Sequence, residues 1–158
     1  MRNRIKNQII EEMNKRINEY VWNSDLFAGG CCYAAYVLAK NLKKLGISYK
    51  TVMFQYDSIL NVKNFNSAIN GPNGQAHVGI EVVYKHQKMI IGDCSGIYRY
   101  FECSGEKFKI RTYADVSPEE ILEGYKNGSW NWRYNVNCNG PLMRDISRIA
   151  DKYMEMYK

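Results

Sequence analysis

Two thiols stand side by side at Cys31 and Cys32, directly after Gly29 and Gly30 and at the head of a helical pattern. A thiol in the first turn of a helix feels the positive end of the helix dipole and the N–H groups that have no partner there. Both favour thiolate over thiol, and thiolate is the nucleophile. The same N–H groups can receive a developing oxyanion. The two glycines let the backbone turn tightly and let a substrate come close. Cysteine is also among the most buried residue types, so a pair at a helix start, taken alone, reads better as plain packing.

A nucleophilic thiol needs a base, and an imidazole needs a partner on its other nitrogen. The chain has two histidines. His86 lies in the polar "KHQ" and is expected in a solvated turn. His77 opens the alternating run "HVGIEVVY" after a long polar stretch. The rim of a rigid strand is where a cleft residue belongs. Alternation puts His77, Gly79 and Glu81 on one face and Val78, Ile80, Val82 and Tyr84 on the other. With a three-residue turn over Lys85 to Gln87, Tyr84 pairs with Lys88 and Gly79 lies opposite Asp93. His77 is then the diagonal neighbour of Asp93, roughly 7–8 Å away at the backbone. Gly79 would leave the space between them open. A slip of one residue would break this arrangement.

These residues need a scaffold, and the hydrophobic pattern outlines one. Ile5, Ile9, Ile10, Met13, Ile17 and Tyr20 recur at helical spacing and predict a first amphipathic helix. A second is expected over Cys32–Leu45, stopped by Gly46. Its buried stripe would be Ala35, Leu38, Leu42 and Leu45. On a wheel of about 100° per residue, Cys31 falls near the centre of that stripe and Cys32 about 100° away, at an edge a cleft could reach. Cys31 is therefore the better core residue and Cys32 the better nucleophile.

"YKTVMFQY", Tyr49–Tyr56, reads as a strand, and residues 57–75 as a long polar connection with turn signals at "NGPNG". "KMIIGD" returns from the His77 strand to Asp93, and "IYRYF" and "KFKIRTY" read as two further strands. "SPEE" at Ser117 opens a short helix with a capping box and proline at its first position. The aromatic "NGSWNWRYNVNCNG" is a loop. Pro141–Tyr157 is a last helix with Leu142, Ile146, Ile149 and Tyr153 on one stripe. The order predicts an α+β fold of one domain over residues 1–158, with helices packed on an antiparallel sheet.

Composition narrows the function. The chain is 46% hydrophobic and 24% charged, a globular and not a disordered balance. The net charge is +6, but the basic residues are scattered, so a solvated surface is expected and not a nucleic-acid partner. The five cysteines are an odd number, with no C-x-x-C pair and no histidine at zinc-ligand spacing. No metal or other cofactor is expected, and the thiols are read as reduced in a cytoplasmic protein. No stretch approaches the roughly 20 apolar residues of a membrane span, so no membrane partner is expected.

The ordered set resembles the transglutaminase-like branch of the papain-like cysteine protease superfamily. That branch has G-x-C at the start of a helix whose far end reads L-G-[IV]; here "GCC" ends at Cys32 and "LGI" begins at Leu45. Cys32 precedes Gly46 by 14 residues, which fits the branch with Cys32 as nucleophile. The branch continues with H-x-W-[VI]-E-V and an aspartate ending the next strand; here "HVGIEV" starts at His77 and "GD" ends at Asp93, 16 residues on. The resemblance covers about residues 28–95. It departs at Gly79, where the branch has tryptophan, which predicts a wider cleft. "GGCCY" is also similar to the G-G-x-C element of arylamine N-acetyltransferases, but Ala34 stands where that family has an acidic residue.

The resemblance implies a papain-like fold and a Cys32–His77–Asp93 triad acting on a peptide or protein amide through a thioester. Split by water, the thioester makes a peptidase or amidase; split by an amine, it makes a transglutaminase or acyltransferase. Hydrolysis is preferred because it needs no second-substrate site. Gln55, Gln75 and Trp22 are candidates for substrate or oxyanion contacts. The superfamily also contains inactive members, so a binding module with the same fold is the rival reading.

Overall fold

A computed structural model describes residues 2–23, 31–56, 77–92, 108–114, 116–127 and 141–157; at 20–23, 31–32, 54–56, 77, 108–111 and 124–127 it describes the backbone. The elements are α1 (Asn3–Asn23), α2 (Cys31–Lys44), β1 (Lys50–Tyr56), β2 (His77–Tyr84), β3 (Gln87–Ile91), β4 (Phe108–Tyr113), α3 (Pro118–Asn127) and α4 (Pro141–Met156). The strands form one sheet in the order β3-β2-β1-β4, with antiparallel neighbours throughout. The α+β expectation holds at that level. The "IYRYF" strand, the 57–75 connection and the aromatic loop before α4 fall outside the described residues.

Helix α2 is the centre of the molecule. It packs on β2 and against α3 and α4, while α1 lies on α4. Every residue from Tyr33 to Ala39 is buried, as are Asn41 and Leu42. The expected single stripe is therefore too narrow. A helix covered by a sheet and two other helices has almost no solvated face, and the wheel no longer separates Cys31 from Cys32. The buried Asn41 is accommodated because its Nδ2 donates to the Val37 carbonyl at 2.8 Å.

The ends of α2 and α3 follow local rules. Gly46 takes a left-handed φ of 72°. Its N–H donates to the Lys43 carbonyl at 3.0 Å, and the Ile47 N–H to the Leu42 carbonyl at 2.9 Å. This is the Schellman pair, in which the last helical carbonyls find donors beyond the helix. Both Ile47 and Leu42 are buried. At α3, the Ser117 hydroxyl accepts the Glu120 N–H at 3.2 Å, with Pro118 at the first helical position.

In α1, Ile9, Ile10, Met13 and Ile17 are fully buried. Each such side chain contributes about 1.5–3 kcal/mol relative to exposure. Leu142, Ile146, Ile149 and Tyr153 are buried on α4, as the stripe predicts. Ion pairs tie the helices at the surface: Arg16 to Asp145 at 2.6 Å, Lys44 to Asp151 at 2.5 Å and Lys152 to Glu12 at 2.6 Å.

Candidate functional site

Cys31 and Cys32 are the first two residues of α2, so both thiols belong to the first helical turn. Ala34, Ala35, Leu38, Ala39 and Leu42 are strong helix formers and hold that turn in place. The first N–H groups of the helix have no intrahelical acceptor and point along its axis. The chemistry expected of a first-turn thiol therefore has its scaffold.

His77 opens β2, as the alternation predicts, and pairs with Phe54 of β1. Three contacts relate β2 to α2. Leu38 lies against Gly92, since a Cβ placed on Gly92 would stand 2.8 Å from Leu38 Cδ1. At that level of the sheet Ile91 pairs with Ile80 and Val52 with Gly79. After Lys44 the chain returns within five residues to Lys50, which pairs with Glu81, nearer the β2–β3 turn. The C-terminal half of α2 thus lies toward the turn, and its N-terminal half toward the end where β2 starts. Cys32 is six residues back from Leu38, about 9 Å along the helix axis. His77 is three residues back from Ile80, about 10 Å along the strand. Leu38 and Gly92 thus mark where α2 meets the sheet, beside the Ile91–Ile80 pair.

Of the other candidates, Gln55 follows the partner of His77 in β1 and pairs with Lys109, so its backbone is at the same end. Trp22 lies in the last turn of α1. Gln75 and Asp93 lie outside the described residues.

The hairpin corrects the expected register. Tyr84 pairs with Gln87, not Lys88, and the turn is the two residues Lys85 and His86. Both have left-handed φ, 49° and 65°. This is the type I′ geometry, whose twist matches the flanking strands. Asn-Gly or Asp-Gly signals such a turn, and Lys-His carries neither, so the sequence concealed it. His86 is exposed, as expected. The slip removes the diagonal pairing that placed Asp93 beside His77.

The space at Gly79 is also not open. A Cβ there would stand 3.0 Å from Ile90 Cγ2 and 3.5 Å from Val52 Cγ2. Ile90 and Val52 close over the glycine.

A cavity of about 550 Å³ lies between the end of α2, the start of β1 and the start of α3, lined by Lys43, Ile47, Tyr49, Lys50 and Pro118. It is at the end of α2 away from Cys32. Tyr49 lies on it and donates to the Val116 carbonyl at 3.1 Å. Burial pushes its pKa above the ordinary phenol value, with Glu119 and Glu120 adding to the effect. Among the described residues no cluster of histidine, cysteine, aspartate or glutamate is arranged to hold a metal ion, and no helix is long and apolar enough to cross a membrane.

Compared with protein-family models, curated proteins and solved structures, the chain matches none. Fold and site thus define the class as an α+β domain with two thiols at the head of its central helix.

Proposed function

We propose that the chain is a cysteine-dependent amide hydrolase on a papain-like, transglutaminase-like core, with Cys32 as nucleophile, His77 as base and Asp93 as the group that orients His77. His77 takes the Cys32 proton as the thiolate attacks the amide carbonyl carbon. The oxyanion is held by the free N–H groups at the start of α2. The C–N bond breaks and the amine leaves with the proton from His77. His77 then takes a proton from water, hydroxide adds to the thioester, and the C–S bond breaks to release acid and restore the thiol. An amine in place of water would give acyl transfer. The observation that supports this reading best is the position of Cys31 and Cys32 in the first turn of α2 and of His77 as the first residue of β2, the strand on which α2 packs.

The test uses p-nitrophenyl acetate, an activated ester that any acylating thiol can use. The expected result is a burst of p-nitrophenolate with one acetyl group on the Cys32 peptide by mass spectrometry. Cys32→Ala should abolish the burst and Cys31→Ala should keep it. Turnover of the acetyl-enzyme by water alone supports the hydrolase; turnover only on adding an amine redirects the reading to an acyltransferase. No burst from a folded wild-type chain would contradict both and favour a binding module.

A further inference from the structure

The cavity at the far end of α2 has an apolar wall and a cationic rim. Ile47, Val116 and Pro118 line it and are buried. Tyr49 is half-buried beside them, and its hydroxyl hydrogen is committed to the Val116 carbonyl at 3.1 Å. The volume of about 550 Å³ falls within the range of small-molecule sites, roughly 300–1,000 Å³. Lys43 lies roughly 16 Å beyond Cys32 along the helix axis, so this space is separate from the thiols.

Lys43 and Lys50 line the cavity from the end of α2 and the start of β1, and both are exposed. Lys44, beside Lys43 in the chain, is held by Asp151 at 2.5 Å. Lys43 and Lys50 make no ion pair among the described residues, although Glu81 stands opposite Lys50 in the sheet. Ser48 and Ser117 add hydroxyls to the lining. The Ser117 oxygen accepts the Glu120 N–H, which leaves its hydrogen to donate.

Among the described residues lining the cavity, none is acidic. Glu119 and Glu120 follow Pro118 in the first turn of α3, and their charge reaches the Tyr49 hydroxyl. The α2–β1 side therefore attracts an anion, while the α3 side repels a second negative charge. A polyanion such as a phosphate ester meets repulsion there. One carboxylate at the lysines, with an uncharged apolar body toward Pro118, is complementary on both sides.

We propose that this cavity is a binding site for a small apolar monocarboxylic acid, its carboxylate held by Lys43 and Lys50 and its body packed on Ile47, Val116 and Pro118. The inference is independent of the Cys32–His77–Asp93 reading and stands if that reading fails.

The test titrates the isotope-labelled full chain with phenylbutyrate and follows the backbone amide shifts. Saturable shifts are expected at Ile47, Tyr49 and Ser117. The double variant Lys43→Gln with Lys50→Gln should bind about fivefold or more weakly, since two exposed charge contacts are lost. Lys44→Gln should bind as the wild type does. Phenylbutylamine, with the same body and a cation in place of the carboxylate, should produce no saturable shifts there. These variants change exposed side chains only, and thermal melts establish that they fold. The absence of saturable shifts at the three amides overturns the proposal. So does an unchanged affinity in the double variant, an equal loss in Lys44→Gln, equal binding of the amine, or the same shifts from inorganic phosphate alone.

Discussion

Tyr153 of α4 donates its phenol hydrogen to the Glu12 carboxylate of α1 at 2.9 Å. One residue earlier in α1, Glu11 accepts the hydroxyl of Tyr84 at the end of β2. Lys152 and Lys85 place their ammonium groups over the two tyrosine rings, at 4.8 and 5.1 Å from the ring centres. Adjacent carboxylates thus fasten α1 to α4 on one side and to the β2–β3 hairpin on the other.

This arrangement predicts an alkaline limit to stability. Burial first, then the hydrogen bond to Glu12 and its negative charge, push the Tyr153 pKa from 10.0 up to about 12. Between those values the unfolded chain has lost a proton that the folded chain keeps. The native state then binds more protons, so its stability falls as pH rises. The contribution is fully present below pH 10.0 and is lost as pH rises toward about 12. Urea midpoints measured across that window should fall, and the slope should be shallower in Tyr153→Phe. Absorbance titration should show one fewer late-ionising tyrosine in the folded variant than in the folded wild type, with Tyr49 late in both.

Ser117→Ala should cost about 1 kcal/mol, because the Glu120 N–H loses its cap. Ser117→Asp should recover most of it, since aspartate caps as well as serine and suits a helix N-terminus. Urea unfolding at neutral pH checks both, with an unchanged m-value expected.

Leu42→Ala should be among the most damaging single changes outside the site. Leu42 is fully buried in the central helix, and its carbonyl accepts the Ile47 N–H across the helix stop. The expected cost is about 2–5 kcal/mol, from lost transfer energy and the cavity left between packed elements. Denaturant midpoints read it directly.

Much of this scaffold is legible in the sequence because its signals are local. The α1 and α4 stripes, the glycine stop at Gly46, the Ser117 cap and the span of β2 each follow from spacing or capping within a few residues. What was hidden depends on partners distant in the chain. The all-round burial of α2 comes from α3 and α4, which no wheel of α2 displays. The Lys85–His86 turn lacks the residues that announce left-handed backbone. The filling at Gly79 comes from Ile90 and Val52 on neighbouring strands. The candidate site was legible as an ordered set of residues, and the register joining two of its members was not.

The central claim is an activated Cys32, and its most direct test needs no substrate. A thiol at a helix N-terminus paired with His77 should be partly thiolate below neutral pH, where an ordinary cysteine, with a pKa near roughly 8.5, is not. Brief treatment of the folded chain with iodoacetamide at mildly acidic pH should label Cys32 ahead of Cys31, Cys94, Cys103 and Cys138, as read by peptide mapping with fragmentation between Cys31 and Cys32. His77→Ala should remove the preference. Equal labelling of all five cysteines, labelling of Cys31 alone, or a preference for Cys32 that survives His77→Ala would contradict the account.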